Sequence, residues 1–375
     1  MLGIVEEQHP DRTRLFMQWK RMGWPILIDS LDLLGVSAVP TTLLIDERGN
    51  VRAINPRPEA FDEFLQESGT ESVQPPTPGP GPPDVEGLGR LAQNEDRPAL
   101  LAYGDALVLW RDARRLDAAI EAYRKVLEQD PSDGATHFRL GVAYRKRYDS
   151  ELRQEGDFGR AVEEWSAALD IDPNQYIWRR RIQQYGPRLD KPYPFYDWVV
   201  TAVAQIKERG EEPVPLVVQP DGAEFAHPIR RFESAEGVRQ EPDSGARIHR
   251  DKKGFVRLET TVVPPQISPG SSTRVHLVFR PNPAIKAHWN NEAEDMVVWV
   301  QPPRGWQVDD PYLVFPRPPE PVSHEAREVE FEIKSPPDFK GKTTIPAYAL
   351  YYVCEDVDGT CLFRRQDIQV EMSAR

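Results

Sequence analysis

The chain has 375 residues, enough for several separate cores, so a single small fold is excluded. Lysine and arginine total 47 against 60 aspartates and glutamates, a net charge of -13 with no basic block to offset it, which argues against nucleic acid as a partner. Hydrophobic residues make up 39%, enough for globular folding; the longest apolar runs are too short to span a bilayer, and no basic stretch or long apolar run follows Met1 to mark a secretory signal.

In chain order, Leu2 to Val5 and Pro25 to Ile28 are short apolar runs, and Asp11 to Arg21 carries Leu15, Trp19 and Met22 at helical spacing. A short helix is expected after Ile28. Thr41 to Ile45 and Val51 to Ile54 predict a hairpin through Asp46–Asn50, and Phe61 to Leu65 a closing helix. Gly35-Val36-Ser37-Ala38-Val39-Pro40-Thr41-Thr42, followed by Leu43 to Asp46 and Gly49, resembles the redoxins and the TlpA-like thioredoxins. The resemblance implies a cis-proline at Pro40 facing a dithiol. In that family the cysteines sit on a strand and helix preceding the position of Leu2, so residues 1–70 are expected to be a partial thioredoxin-like segment, a fragment or a decayed domain, with no thiol of its own.

Residues 71–97 are expected to be a linker, centred on Gln74 to Pro83, where prolines and glycines prevent any regular element. Residues 98–210 read as helical repeats. Ala119, Tyr123 and Pro131, with Tyr103, Leu107 and Trp110 before them, resemble a tetratricopeptide (TPR) unit over Leu100 to Asp133. A second unit ends at Pro173, 42 residues after Pro131, with Ala161, Trp165 and Ala168 in its second helix and Leu140, Gly141 and Tyr144 in its first. Arg145 to Asp157 absorbs the extra length, and a degenerate third unit covers Tyr176 to Tyr185 and Phe195 to Ile206. The resemblance implies a solenoid whose groove takes a protein or peptide partner. Arg179, Arg180 and Arg181 are either a solvated face or a site that holds an acidic peptide through forked bonds.

Residues 211–250 are expected to be a second linker. From 251 to 375 the pattern alternates with period two, and Phe255 to Val262, Thr273 to Phe279, Met296 to Val300, Val329 to Ile333, Thr343 to Val353 and Leu362 to Met372 are predicted strands separated by proline turns. Such strands argue for an immunoglobulin-like β-sandwich. The fold class is therefore multidomain α+β: a partial thioredoxin-like α/β segment, a TPR α-solenoid and an immunoglobulin-like sandwich.

The chain has two cysteines, Cys354 and Cys361, each with no other partner than its neighbour, so they bond each other or stay free. Asp358-Gly359 supplies a turn that can bring them together. Thiolates and histidines show no metal-ligand spacing, and neither metal nor cofactor is expected. An inert staple would close an eight-residue ring, worth roughly 2.5 kcal/mol in the loop-entropy model. The order Ala287-His288-Trp289-Asn290-Asn291, Pro303-Arg304-Gly305-Trp306, Tyr312 to Pro316, then a strand into Cys, an acidic loop and a second Cys, resembles the N-terminal domain of the DsbD thiol:disulfide interchange proteins. That resemblance implies a periplasmic or cell-envelope address, a redox partner protein, Cys361 as the attacking thiolate and Cys354 as the resolving cysteine. Six residues separate the cysteines here, where that family has about five, and its transmembrane segment and C-terminal thioredoxin domain have no counterpart. Arg364 and Arg365 would favour a thiolate, whereas Glu355, Asp356 and Asp358 would oppose it. His288 reads as either a base or a packed strand residue. Two functions stay open: thiol-disulfide exchange coupled to TPR-mediated binding, or a non-catalytic scaffold with a structural disulfide.

Overall fold

A computed structural model describes residues 2–36, 39–46, 48–67, 82–110, 112–188, 197–220, 232, 240–355 and 359–375. Of the expected first linker, 71–97, residues 71–81 lie outside them; the described remainder is not all linker, since Val85–Ala92 forms a helix capped by Asp84. The described residues form a mixed α+β fold.

In chain order the elements are β1 (Gly3–Val5), α1 (Pro10–Lys20), β2 (Ile26–Ile28), β3 (Leu43–Ile45), β4 (Val51–Ile54), α2 (Pro58–Glu67), α3 (Val85–Ala92), α4 (Arg97–Trp110), α5 (Leu116–Gln129), α6 (Gly134–Tyr148), α7 (Asp157–Ile171), α8 (Tyr176–Gln183) and α9 (Trp198–Glu208). Strands follow: β5 (Val256–Val263), β6 (Gln266–Ile267), β7 (Ser272–Pro281), β8 (Ala287–Asn290), β9 (Met296–Val300), β10 (Gln307–Val308), β11 (Tyr312–Phe315), β12 (Val322–Ser323), β13 (Arg327–Lys334), β14 (Lys342–Glu355) and β15 (Cys361–Ala374). The chain divides into two compact units, one of Met1–Pro10, Trp24–Leu152 and Ala167–Arg180, the other of Asp11–Gly23, Arg153–Ser166 and Arg181–Arg375.

In the first unit β1 and β2 pair in parallel, and β3 and β4 form a separate antiparallel pair. The turn between β3 and β4 is held by Asp46, whose Oδ1 accepts from the N–H groups of Arg48 (3.0 Å) and Asn50 (2.9 Å). The short helix expected after Ile28 does not form over the described residues. The Asp29 carboxylate instead gathers the N–H groups of Leu31, Leu33 and Leu34 into a turn, a local bond that competes with helix. Helices α3 to α6 pack each on the next. α5 buries Ala119, Ile120, Tyr123 and Val126, spaced as one helical face. A Cβ at Gly104 would stand 2.7 Å from the Tyr123 ring, so glycine there permits the close approach of α4 and α5. Asp133 caps α6 by accepting from Thr136 N–H at 3.1 Å.

In the second unit, α1 finds its partner far along the sequence. Leu15 is buried with Val199, Ala202 and Ile206 of α9, and the Trp19 and Trp198 rings stack at 6.0 Å. Two sheets follow, ordered β10-β13-β7-β5 and β11-β9-β14-β15-β6, with β8 pairing β14 and β12 pairing β8. One apolar core draws on both, including Val275, Leu277 and Phe331 from the first and Trp289, Val298, Tyr351, Val353 and Val370 from the second. Pro346 lies inside β14, and its carbonyl accepts from Gln301 N–H just beyond the end of β9. Its missing N–H faces the same side, towards Gln301, so the proline stands where the pairing with β9 ends.

The second expected linker is partly structured. Asp243 lies on the outer face of the β14–β15 pair, where Arg365 Nη1 donates to its Oδ2 at 2.9 Å and the Arg365 guanidinium stacks 3.7 Å over the Tyr348 ring; His249 to Asp251 pair in parallel with the edge of β15 at Arg365, and Arg250 binds Asp367 at 2.9 Å.

Candidate functional site

The site grows from the longest hairpin. β14 and β15 pair in register from Lys342↔Ser373 to Cys354↔Cys361, so the cysteines are the last rung of the ladder. Period-two alternation sends Tyr351 and Val353 into the core and Tyr352 and Cys354 to the other face. The next rung out is closed by a bond from Glu355 N–H to the Thr360 carbonyl, which makes Cys354 and Cys361 a narrow, non-hydrogen-bonded pair. The two sulfurs are joined in a disulfide. They are unequal in access: Cys354 is 3% exposed, whereas Cys361 is exposed at the strand end.

Cys354 has a second neighbour. On its other side β8 places His288 directly opposite it in antiparallel register, so both side chains leave the same face of the sheet. β12 continues the row. It pairs Val322 with Asn290 and Ser323 with Trp289, which brings His324 beside His288, with ring centroids 5.8 Å apart. His324, His288, Cys354 and Cys361 thus stand abreast, exposed at both ends and buried in the middle. The next row contains the Tyr352–Phe363 stack, ring centroids 4.4 Å apart, with the Tyr352 hydroxyl donating to Glu294 Oε2 at 3.5 Å. Burial, and then the charge and bond of Glu294, push the Tyr352 phenol up, so it stays a neutral donor.

The two arginines after Cys361 do not serve the sulfurs. Arg364 pairs with Tyr351 in register and so lies on the core side of the sheet. Arg365 shares the outer face with Cys361 but stands four residues along the strand, roughly 13 Å away. It is bound to both Asp243 (2.9 Å) and Asp367 (2.7 Å). Burial pulls the Arg365 pKa down, but its bonds to Asp243 and Asp367 outweigh that and leave it raised. Of the expected acidic neighbours, Glu355 pairs with Lys253 at 2.6 Å, and Asp356 and Asp358 lie outside the described residues.

The remaining sequence-derived positions are scattered. The Val39–Pro40 peptide is cis, and the described residues nearby hold no thiol. Arg179, Arg180 and Arg181 occupy successive positions of α8 and point in different directions: Arg179 is exposed and bonds back to the Pro173 carbonyl, Arg180 is half-buried, and Arg181 is buried. They form no single cationic patch. Among the described residues no group of three or more His, Cys, Asp or Glu side chains is placed to hold a metal ion, and no helix is long and apolar enough to cross a membrane.

No family model and no curated protein matches the chain. Among solved structures, the sporulation control protein Spo0M from Bacillus subtilis aligns at 11% identity over 32% of this chain and 51% of its own, with a TM-score of 0.16. The chain thus spans about half the length of Spo0M. The alkylpurine DNA glycosylase AlkC of Pseudomonas fluorescens, bound to DNA containing an abasic site analog, aligns at 12% identity over 77% of this chain and 74% of its own, with a TM-score of 0.15. Superpositions that poor carry no argument about fold or activity, so the chemistry rests on the side chains.

The sequence pointed to the cysteines and, as one of two options, to His288. It gave no reason to single out His324, because a two-residue strand leaves no periodicity to read.

Proposed function

We propose that the Cys354–Cys361 pair exchanges with partner thiols, Cys361 forming the mixed disulfide and Cys354 resolving it. The observation that carries this is the contrast in access: an exposed sulfur that a partner can reach, joined to one that is 3% exposed. A partner thiolate attacks Cys361 Sγ, the sulfur–sulfur bond breaks, and its electron pair leaves on Cys354 Sγ. A second partner thiolate then displaces Cys361. The partner dithiol becomes a disulfide, and two electrons with two protons pass to the pair.

The rest of the chain fits this role as a binding frame. Packing of α3 to α6 supports a TPR-like solenoid that recruits a protein or peptide, and the shared core of the two sheets supports an immunoglobulin-type sandwich similar to the DsbD N-terminal domain. On that resemblance the protein works in a bacterial periplasm or cell envelope, where disulfides persist. A non-catalytic scaffold with an inert disulfide is the second reading, favoured by the burial of Cys354.

Single-cysteine variants test the assignment. With glutathione disulfide as probe, Cys354→Ala should form a mixed disulfide through Cys361 at least tenfold faster than Cys361→Ala does through Cys354. Equal rates, or no adduct on either, would sink it.

A further inference from the structure

We propose that His288 is the base that takes the proton from the Cys354 thiol when it resolves the mixed disulfide, and that His324 passes this proton to solvent. The inference rests on the exchange reading and adds the group that makes the buried sulfur competent. A resolving cysteine must attack as a thiolate, and burial in apolar surroundings works against that form. At pH 7 an ordinary thiol is only about 3% ionised. Cys354, 3% exposed, gains nothing from Arg364, on the opposite face, or from Arg365, held by two carboxylates. Its cross-strand neighbour is an imidazole. Opposed residues in an antiparallel pair have Cβ atoms about 5 Å apart, a span over which a histidine nitrogen and a cysteine sulfur come within hydrogen-bonding reach.

The row also provides the exit. His288 is only 6% exposed, whereas His324, its ring 5.8 Å away, is exposed. The charged groups nearest this row are already engaged: Glu355 of β14 with Lys253 at 2.6 Å, Glu325 beyond β12 with Arg327 at 3.2 Å, and Glu294 before β9 with the Tyr352 hydroxyl at 3.5 Å. Proton transfer therefore falls to the two imidazoles, whose ring nitrogens can accept and release a proton. In the closing step the Cys354 thiol gives its proton to His288, Cys354 Sγ bonds to Cys361 Sγ, and the partner sulfur leaves with the electron pair of the mixed disulfide and takes up a proton from water.

The test follows the reduced full-length chain reacting with excess glutathione disulfide between pH 5.5 and 8.5, with acid quench and mass spectrometry. The glutathione adduct on Cys361 reports the first attack, and its conversion to the intramolecular disulfide reports Cys354. His288→Gln should slow closure about tenfold at pH 7, because only the small ionised fraction of the thiol remains reactive. It should also change the pH dependence of closure to that of the unassisted thiol, while adduct formation keeps the parent rate. His324→Gln, at an exposed position, should slow closure by a smaller factor and keep the parent pH profile, since His288 remains as the base, and it carries the test if His288→Gln loses the parent near-ultraviolet circular dichroism. Closure in both variants at the parent rate and with the parent pH profile would overturn the role of the histidines and leave exchange standing. No adduct in the parent chain would overturn exchange and this inference together.

Discussion

A cysteine pair that cycles must leave the fold standing in both states, and the hairpin sets how far the two states differ. Replacing both cysteines, Cys354→Ala with Cys361→Ala, mimics the reduced form without leaving an unsatisfied hydroxyl at the buried position. The loop-entropy model assigns roughly 2.5 kcal/mol to closing an eight-residue ring. That figure acts through the unfolded chain; in the folded one β14 and β15 stay paired from Lys342↔Ser373 onward, and His288, Tyr352 and Phe363 remain around the site. With a urea dependence of about 2 kcal/mol/M for a unit of this size, the midpoint should fall by about 1 M or less. Urea melts of the oxidised chain, the reduced chain and the double variant, followed by near-ultraviolet circular dichroism, measure this directly. Reduced and double-variant chains should keep the native spectrum. Loss of that spectrum without denaturant, or a fall in midpoint of more than about 2.5 M, equivalent to about 5 kcal/mol, would mean that the bond is a condition of folding. The reasoning would then fail.

Two further predictions concern buried ionisable groups. Asp32 is 6% exposed and accepts from Trp178 Nε1 at 3.0 Å; burial outweighs that bond and pushes its pKa up to about 6. A carboxyl raised on folding binds its proton more tightly in the native state, so its ionisation destabilises the fold as pH climbs from about 4 to 6, and the penalty is fully present at pH 7. Asp32→Asn should therefore gain about 1–2 kcal/mol at pH 7 and almost nothing at pH 4, and equal melting shifts at the two pH values would contradict this. In the second unit His276 faces two acceptors, Glu330 Oε1 2.6 Å from Nδ1 and the Tyr185 carbonyl 2.7 Å from Nε2, and Glu330 is also paired with Arg274. Both ring nitrogens must then carry protons. Nitrogen-detected NMR at pH 7 should show an imidazolium at His276; a neutral tautomer would contradict it.

Long alternating strands were legible from the sequence. β14 and β15 exceed their predicted limits only by residues at each end, enough to move the cysteines from the mouth of the hairpin into its last rung. Short strands were not, since the two residues of β6, β10 or β12 carry no period, and Ala287 to Asn290 was visible only as a motif. Long-range partners were equally hidden: the pattern of α1 marks a buried face, but nothing local says that α9 covers it. The stretch around Asp243 and Arg250 reads as linker because its polar side chains suit water, and its anchors, Arg365 and Asp367, lie more than a hundred residues on. At the site, period two alone could have shown that adjacent Arg364 and Arg365 face opposite ways. It could not have shown that two other strands, β8 and β12, bring two histidines alongside the sulfurs.

The most direct test of exchange is the equilibrium reduction potential of Cys354–Cys361 in the full-length chain, read by mass spectrometry after quenching in glutathione buffers. A working couple should lie near about -200 mV, within reach of a thiol partner. A value well below about -300 mV would mark a bond that glutathione cannot open, leaving a binding scaffold in place of a redox protein.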